Sequence, residues 1–277
     1  MALSGHVSLG LDIGTTSVKV CVIDSKGSKL VEDSIVHNAW IPNKNADVRE
    51  QDPVKIIQVI SDMLGKIKEE CENVTIVTVT GQQHGVVLWN KQKLKSGEFC
   101  TSPLITWMDT RIPQKFVDSL PPWRHGKLDK GYGMVTLAWM KHEGLLDPRW
   151  NTCGTIMDMV TSYMAATDDT TISLQNAFTW GYCDWSGKWT VPDSLVPHSL
   201  LPTVRQPSDI VGKLVRGGLR STVEVRITVA LGDLQSTVFP LLDRNTAVIN
   251  IGTSSQLCFC LPKTEVTQMT SSHGAIR

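Results

Sequence analysis

Alternating hydrophobic and polar positions predict an antiparallel meander at the start of the chain. Residues 7–12 and 17–24 carry apolar side chains at every second position, which is the spacing of a strand with one buried face. A Gly-Thr-Thr turn separates the two segments. A polar turn at 25–28 is followed by a third segment of this kind at 29–37. The pattern therefore predicts three consecutive antiparallel strands.

The apolar spacing then changes from a period of two to that of a helix. Asp52 followed by Pro53 is typical of a helix N-cap and first helical position, and apolar residues recur at helical spacing as far as Ile67. Residues 74–79 alternate Val or Ile with Thr, which indicates a strand. Strands, a crossover helix and a further strand together predict an α/β domain.

Pro, Gly and Trp interrupt the periodic runs in the middle of the chain, so the elements predicted there are shorter. Residues 131–143 and 157–166 have helical character, and 180–189 predict a hairpin centred on Ser-Gly. A strand at 222–231 leads through Gly-Asp into a helix at 234–242. These elements extend the α/β pattern.

A short repeat near the two ends of the chain is the strongest indication of chemistry. The sequence LDIGTTS at 11–17 has a counterpart, INIGTSS, at 249–255. A Gly-Thr turn followed by hydroxyl residues offers backbone N–H groups and hydroxyls to a phosphate. Asp12 at the end of the first strand is placed to hold Mg²⁺, and Lys19 lies within reach of the same charge. The alternative is an ordinary hairpin with a solvated lysine, and the second copy favours a two-part phosphate site.

Composition excludes several classes of partner. The chain has 277 residues, 41% of them hydrophobic and 19% charged, as expected of a soluble globular protein with one large or two ordinary domains. Lys and Arg number 27, as do Asp and Glu, so no net charge attracts nucleic acid. Because no signal peptide or run of about 20 apolar residues occurs, we expect no membrane partner and a cytoplasmic location. The seven cysteines are scattered and predict no zinc site.

Other polar residues fall where predicted strands end. From spacing alone, Asp233 is most simply a helix N-cap, and the alternative is a general base at the carboxyl end of a strand, where α/β folds place ligands. Gln83 and His84 follow the strand at 74–79, and Trp107 and Asp109 add an aromatic plane and a carboxylate. These groups suit a polyhydroxylated ligand, although a tryptophan is more often a core residue.

Five segments in this order resemble the FGGY family of carbohydrate kinases. They are LDIGTTSVK at 11–19, TGQQHGV at 80–86, WMDTR at 107–111, GDLQ at 232–235 and NIGTS at 250–254. The resemblance extends from residue 7 to about 261 and implies an actin-like ATPase (ribonuclease H-like) fold of two lobes. It further implies ATP and Mg²⁺ as cofactors, and ATP-dependent phosphorylation of a sedoheptulose-like ketose at a primary hydroxyl. The partners implied are a small-molecule sugar and ATP.

The resemblance also assigns residue roles. It implies Asp233 as catalytic base, Asp12 as metal ligand, and sugar contacts from Gln83, His84, Trp107, Asp109 and Asp233; the phosphate contacts implied are Asp12, Gly14, Thr15, Thr16, Lys19, Gly252, Thr253 and Ser254.

Two departures from the family pattern matter. Leu174 stands where the family usually carries Asp, and the family's adenosine-binding motif belongs to a C-terminal lobe of which this chain holds only the first hairpin. We expect residues 1–242 to form the N-terminal lobe, and 243–277 to form the start of the C-terminal lobe with a polar tail. Either the hairpin docks on the first lobe, or it frays and exposes an aggregation-prone strand edge. The alternative function is a catalytically inactive sugar-binding fragment or regulator derived from such a kinase.

Overall fold

The computed structural model describes residues 6–67, 71–243, 246–251 and 255–260. The strands are β1 Val7–Ile13, β2 Ser17–Ile23, β3 Lys29–Val36, β4 Glu50–Gln51, β5 Val74–Gly81, β6 Val87–Trp89, β7 Leu104–Ile105, β8 Thr152–Gly154, β9 Thr171–Ser173, β10 Thr203–Arg205, β11 Ile210–Lys213, β12 Arg226–Thr228, β13 Leu231–Gly232, β14 Ala247–Ile251 and β15 Ser255–Phe259. The helices are α1 Pro53–Lys66, α2 Lys91–Ser96, α3 Gln114–Ser119, α4 Gly133–His142, α5 Ile156–Ala165, α6 Leu174–Thr179 and α7 Asp233–Val238.

One mixed sheet organises the fold. Its strand order is β11-β12-β5-β1-β2-β3, and β13 also pairs with β5. The meander β1-β2-β3 is antiparallel as predicted, whereas β1, β12 and β13 all run parallel to β5. The carboxyl ends of β1, β5 and β13 meet at one edge, because Asp12 lies beside Thr80, and Gly81 lies between Ile13 and Gly232. That edge is where an α/β sheet places its ligands.

The helices pack as the sequence pattern requires. Asp52 caps α1 by accepting hydrogen bonds from the N–H groups of Val54 and Lys55, and Pro53 is the first helical residue, which confirms the predicted helix start. The buried face of α1 joins β1, β5 and α5 in one apolar cluster. A second apolar cluster surrounds α4 and α6. Both clusters bury apolar side chains, and this burial is the main stabilising contribution.

Three predicted elements differ from the structure. The strand predicted at 222–231 is shorter and interrupted, since β12 begins at Arg226 and the pairing with β5 shifts by one residue between the Ile227–Val77 and Leu231–Thr80 pairs. The hairpin predicted at 180–189 has one bridge, between Cys183 and Trp189, rather than two strands. The helix predicted at 234–242 starts one residue earlier as α7 and ends in a 3₁₀ turn that contains Pro240.

The hairpin of β14 and β15 presents one apolar face to solvent. The side chains on this face are Ala247, Ile249, Ile251, Leu257 and Phe259. Ile251 is 79% exposed and Ile249 66% exposed, so this face is not docked on the first lobe. The two strands nevertheless stay paired and are not frayed, so neither of the two expected outcomes describes the hairpin fully. No helix within the described part of the chain has the length and apolar character that a membrane crossing requires.

Candidate active site

Two aspartates lie together at the carboxyl edge of the sheet. Asp12 is the penultimate residue of β1, and Asp233 directly follows β13. Burial raises the pKa of the Asp12 carboxyl, and nearby Lys19 lowers it. Burial also raises the pKa of Asp233, and the negative charge of Asp12 raises it further, against a hydrogen bond from the Leu234 N–H. The two carboxyls are therefore close enough to interact electrostatically.

Asp233 is not the N-cap of α7. That position belongs to Gly232, whose backbone is extended (φ −76°, ψ 149°) because β13 continues up to it. Asp233 is the first helical residue, and its Oδ1 accepts a hydrogen bond from the N–H of Leu234 at 2.8 Å. The N-cap role favoured by spacing alone is thus wrong, and the carboxyl lies at the strand end that the general-base alternative required.

The surroundings of Asp12 fit a divalent cation. Its Oδ1 is buried and has no hydrogen-bond partner among the described residues, while Oδ2 lies 3.9 Å from Lys19 Nζ. A buried carboxylate oxygen without a partner is costly, and a cation or a water bound to it removes that cost. Within the described ranges no three His, Cys, Asp or Glu side chains cluster as a metal site. Mg²⁺ usually keeps several of its waters and is bound through only one or two protein carboxylates, so a site with a single carboxylate can hold it.

The turn after β1 is held from several directions. The Gly14 N–H donates to the Ser17 carbonyl at 2.9 Å and closes the turn. Gln51 Nε2 donates to the Thr15 carbonyl at 2.7 Å, and Trp107 Nε1 donates to the Thr15 Oγ1 at 3.2 Å. The backbone N–H groups of Thr15 and Thr16 have no acceptor among the described residues. The turn therefore presents two N–H groups, the arrangement that a phosphate oxygen binds.

Two glutamines near this turn were not among the predicted site residues. Gln82 Nε2 donates to Gln51 Oε1 at 2.9 Å and lies 3.4 Å from the Gly14 carbonyl. Gln82 directly precedes the predicted pair Gln83 and His84, so its position at a strand end was a usable signal. Gln51 had no local signal, because only the tertiary fold brings β4 to the turn. The second phosphate motif, Gly252-Thr253-Ser254, lies outside the described residues.

His84 sits in a strained backbone conformation. Its φ of 68° is left-handed, and the Gly85 N–H donates back to the Gln83 carbonyl, which makes His84 the centre of a γ-turn. The imidazole stacks on Tyr132 with ring centroids 5.0 Å apart, and Nδ1 lies 2.9 Å from the Thr179 carbonyl. Burial lowers the pKa of His84, so the ring is neutral, and donation from Nδ1 leaves Nε2 as an acceptor.

Gln83 and Asp109 have protein partners. Gln83 Nε2 donates to Gln235 Oε1. Asp109 is 3% exposed; its Oδ2 accepts from the Arg49 N–H at 2.7 Å, and both of its oxygens accept from Arg111. Asp109 therefore fixes the loop that carries Trp107, while the sugar contacts expected of Gln83 and Asp109 remain predictions.

Comparison with known proteins places this site in a family. The model of the FGGY family of carbohydrate kinases, N-terminal domain, matches residues 7–240. The chain is 31% identical over 290 residues to sedoheptulokinase of Mus musculus, covering 94% of this chain and 60% of that protein. It is 30% identical to sedoheptulokinase of Homo sapiens, covering 92% of this chain and 59% of that protein. The chain therefore spans about three fifths of the length of these relatives.

Solved structures show the same fold. Xylulose kinase from Rhodospirillum rubrum superposes with a TM-score of 0.74 at 17% identity, covering 91% of this chain and 54% of that one. Glycerol kinase from Plasmodium falciparum with ADP gives a TM-score of 0.72 at 16% identity, with the same coverages. The expected α/β fold of the actin-like ATPases is thus confirmed. Because the family model matches most of the chain, the chain belongs to the FGGY family of carbohydrate kinases.

Proposed function

We propose that this chain carries the sugar site, the first phosphate motif and the catalytic base of an ATP-dependent ketose kinase, with a sedoheptulose-like ketose as substrate. The placement of Asp12 and Asp233 at the same edge of the sheet, at the ends of the strands that flank β5, supports this proposal most directly. The match of the family model to 7–240 supports assigning residues 1–242 to the N-terminal lobe and 243–277 to the start of the second.

The two aspartates have different proposed tasks. Asp233 accepts the proton of the primary hydroxyl that attacks the phosphate, and its raised pKa brings it nearer to the working pH of a general base. Asp12 holds Mg²⁺, directly or through a water. When bound, Mg²⁺ neutralises charge on the phosphate oxygens, and reactions of this class depend mainly on such electrostatic stabilisation and on positioning. The N–H groups of Thr15 and Thr16, which have no acceptor among the described residues, hold the phosphates in place together with Lys19.

The sugar is proposed to lie against His84 and Trp107. The neutral His84 offers Nε2 as an acceptor for a sugar hydroxyl. The Trp107 ring donates a hydrogen bond to Thr15 of the phosphate turn. The proposed sugar site and the proposed phosphate site therefore adjoin at Trp107 and Thr15. This link fixes the sugar-facing aromatic plane relative to the phosphates. Proximity of this kind is a large source of rate enhancement.

The test is calorimetry with sedoheptulose together with a coupled ADP-release assay on the 277-residue chain. We expect ketose binding and sugar-dependent ADP release, and we expect Asp233→Asn to abolish release while ketose affinity stays within about threefold. Wild-type release rates in that variant would refute the assignment of the base. Binding without any ADP release in the wild type would favour the sugar-binding fragment instead.

A further inference from the structure

Two side-chain amides of α6 hold the strand end that carries Asp233. Gln175 Oε1 accepts the Gly232 N–H at 2.8 Å, and Asn176 Nδ2 lies 3.5 Å from the Ala230 carbonyl. Ala230 and Gly232 are two residues apart, so these backbone groups point to the same side of an extended chain. Because β13 pairs with β5 through its other edge, the two amides take the place of a neighbouring strand.

Gly232 is also confined on its side-chain face. A Cβ atom at this position would overlap the amide of Gln83, whose Nε2 donates to Gln235. The Gly232 peptide is therefore held by Gln175 along the strand edge and by Gln83 across the strand. Because Asp233 follows at the first position of α7, a shift of this peptide displaces the Asp233 carboxyl.

The other end of α6 holds His84. Thr179 is the last residue of α6, and its carbonyl lies 2.9 Å from His84 Nδ1. Ser173 caps the start of the helix by accepting from the Asn176 N–H at 3.3 Å. Thr179 lies four positions after Gln175, which corresponds to about 6 Å along a helix. The helix α6 thus contacts Gly232, which directly precedes the proposed base, near its start, and His84, the proposed sugar contact, at its end.

We propose that Gln175 is a positioning residue for Asp233, and that α6 fixes the separation between Asp233 and His84. This proposal rests on the proposed function. Gln175 Nε2 is buried without a partner among the described residues, so the bond to Gly232 is the polar contact that holds this amide. Nothing in the bond depends on the rest of the second lobe, and the geometry is testable in the 277-residue chain.

The experiment compares Gln175→Leu and Gln175→Glu with Gln114→Leu, a matched change at an exposed position of α3. In Gln175→Leu we expect the Gly232 amide proton to exchange at least about tenfold faster by NMR, because its acceptor is gone. We also expect kcat to fall at least about tenfold with KM within about threefold, since a small misplacement of a catalytic group mainly lowers kcat. Gln114→Leu should leave all three quantities unchanged.

Gln175→Glu supplies the rescue. Its carboxylate retains an acceptor for the Gly232 N–H, so exchange should stay near the wild-type rate. The added negative charge should raise the pKa of Asp233 and move the acidic limb of the kcat profile to higher pH. Wild-type Gly232 exchange or wild-type kcat in Gln175→Leu would overturn the proposal.

An inactive wild-type chain would contradict the proposed function. The positioning role of Gln175 and α6 would then be tested by NMR alone. Gly232 exchange and the ¹⁵N shifts of the His84 ring would then be compared between wild type and Gln175→Leu. The proposal requires both signals to change in Gln175→Leu and neither to change in Gln114→Leu. Unchanged His84 shifts would refute the role assigned to α6.

Discussion

Asp158 is a fully buried carboxyl in α5, and it makes the stability of the fold depend on pH. Its Oδ2 accepts hydrogen bonds from the Thr155 N–H at 2.8 Å and the Thr155 Oγ1 at 2.7 Å, while Oδ1 has no partner among the described residues. Burial raises the pKa of Asp158 to about 7, although both bonds from Thr155 lower it. The ordinary value is 3.8. The folded state therefore binds this proton more tightly than the unfolded state.

The sign and size of the effect follow from this difference. A carboxyl whose folded pKa lies above its unfolded pKa costs stability progressively as the pH rises from about 4 to about 7, and the cost is constant above that range. At 1.36 kcal/mol per pH unit, the full cost is about 4 kcal/mol. Between pH 5 and pH 8 the cost grows by about 2 to 3 kcal/mol.

Asp158→Asn removes this dependence, because asparagine is neutral at every pH and still offers an oxygen to Thr155. We expect the variant to gain about 2 to 3 kcal/mol relative to wild type between pH 5 and pH 8. The measurement is the free energy of unfolding from urea denaturation at four pH values, followed by tryptophan fluorescence. Asp62→Asn, at an exposed position of α1, is the control and should show no such trend. A stability difference between Asp158→Asn and wild type that does not change with pH would refute this reasoning.

Three further changes test other contacts. Gly232→Ala forces a methyl group into the Gln83 amide, so we expect a loss of about 1 to 3 kcal/mol in a thermal or urea melt; an unchanged melt would contradict the close approach. Trp107→Phe removes the donor to Thr15, and we expect calorimetry to show severalfold weaker Mg-ATP binding, with equal affinity counting against the shared anchor. Ile251→Lys places a charge on the exposed apolar face of the hairpin. It should lower both the binding of a hydrophobic dye and self-association, with little change in melting temperature. Unchanged dye binding would show that this face is covered.

The parts of the fold that the sequence predicted are those set by local chemistry. The meander has clear alternation, and α1 has both a capping residue and proline at its start, so neither depends on distant contacts. The strand at 222–231 was over-extended because its alternation continues through Val229 and Ala230, where the register with β5 shifts by one residue and the ladder is interrupted. Periodicity indicates which residues suit a pleated sheet, but it does not indicate where pairing with the neighbouring strand stops.

The candidate site also contains some residues that the sequence indicates and others that only the structure shows. The strand-end position of Asp12 was predictable from spacing, because the topology brings the ends of parallel strands to one edge. Spacing alone favoured an N-cap for Asp233, and only the family resemblance implied a base there. The residues that hold those ends, Gln51 and Gln175, come from β4 and α6, whose positions are decided by packing. A glutamine has no spacing signal of its own. The carboxylates proposed to act at this edge can therefore be found in the sequence, whereas the amides that hold their strand ends can be identified only in the folded chain.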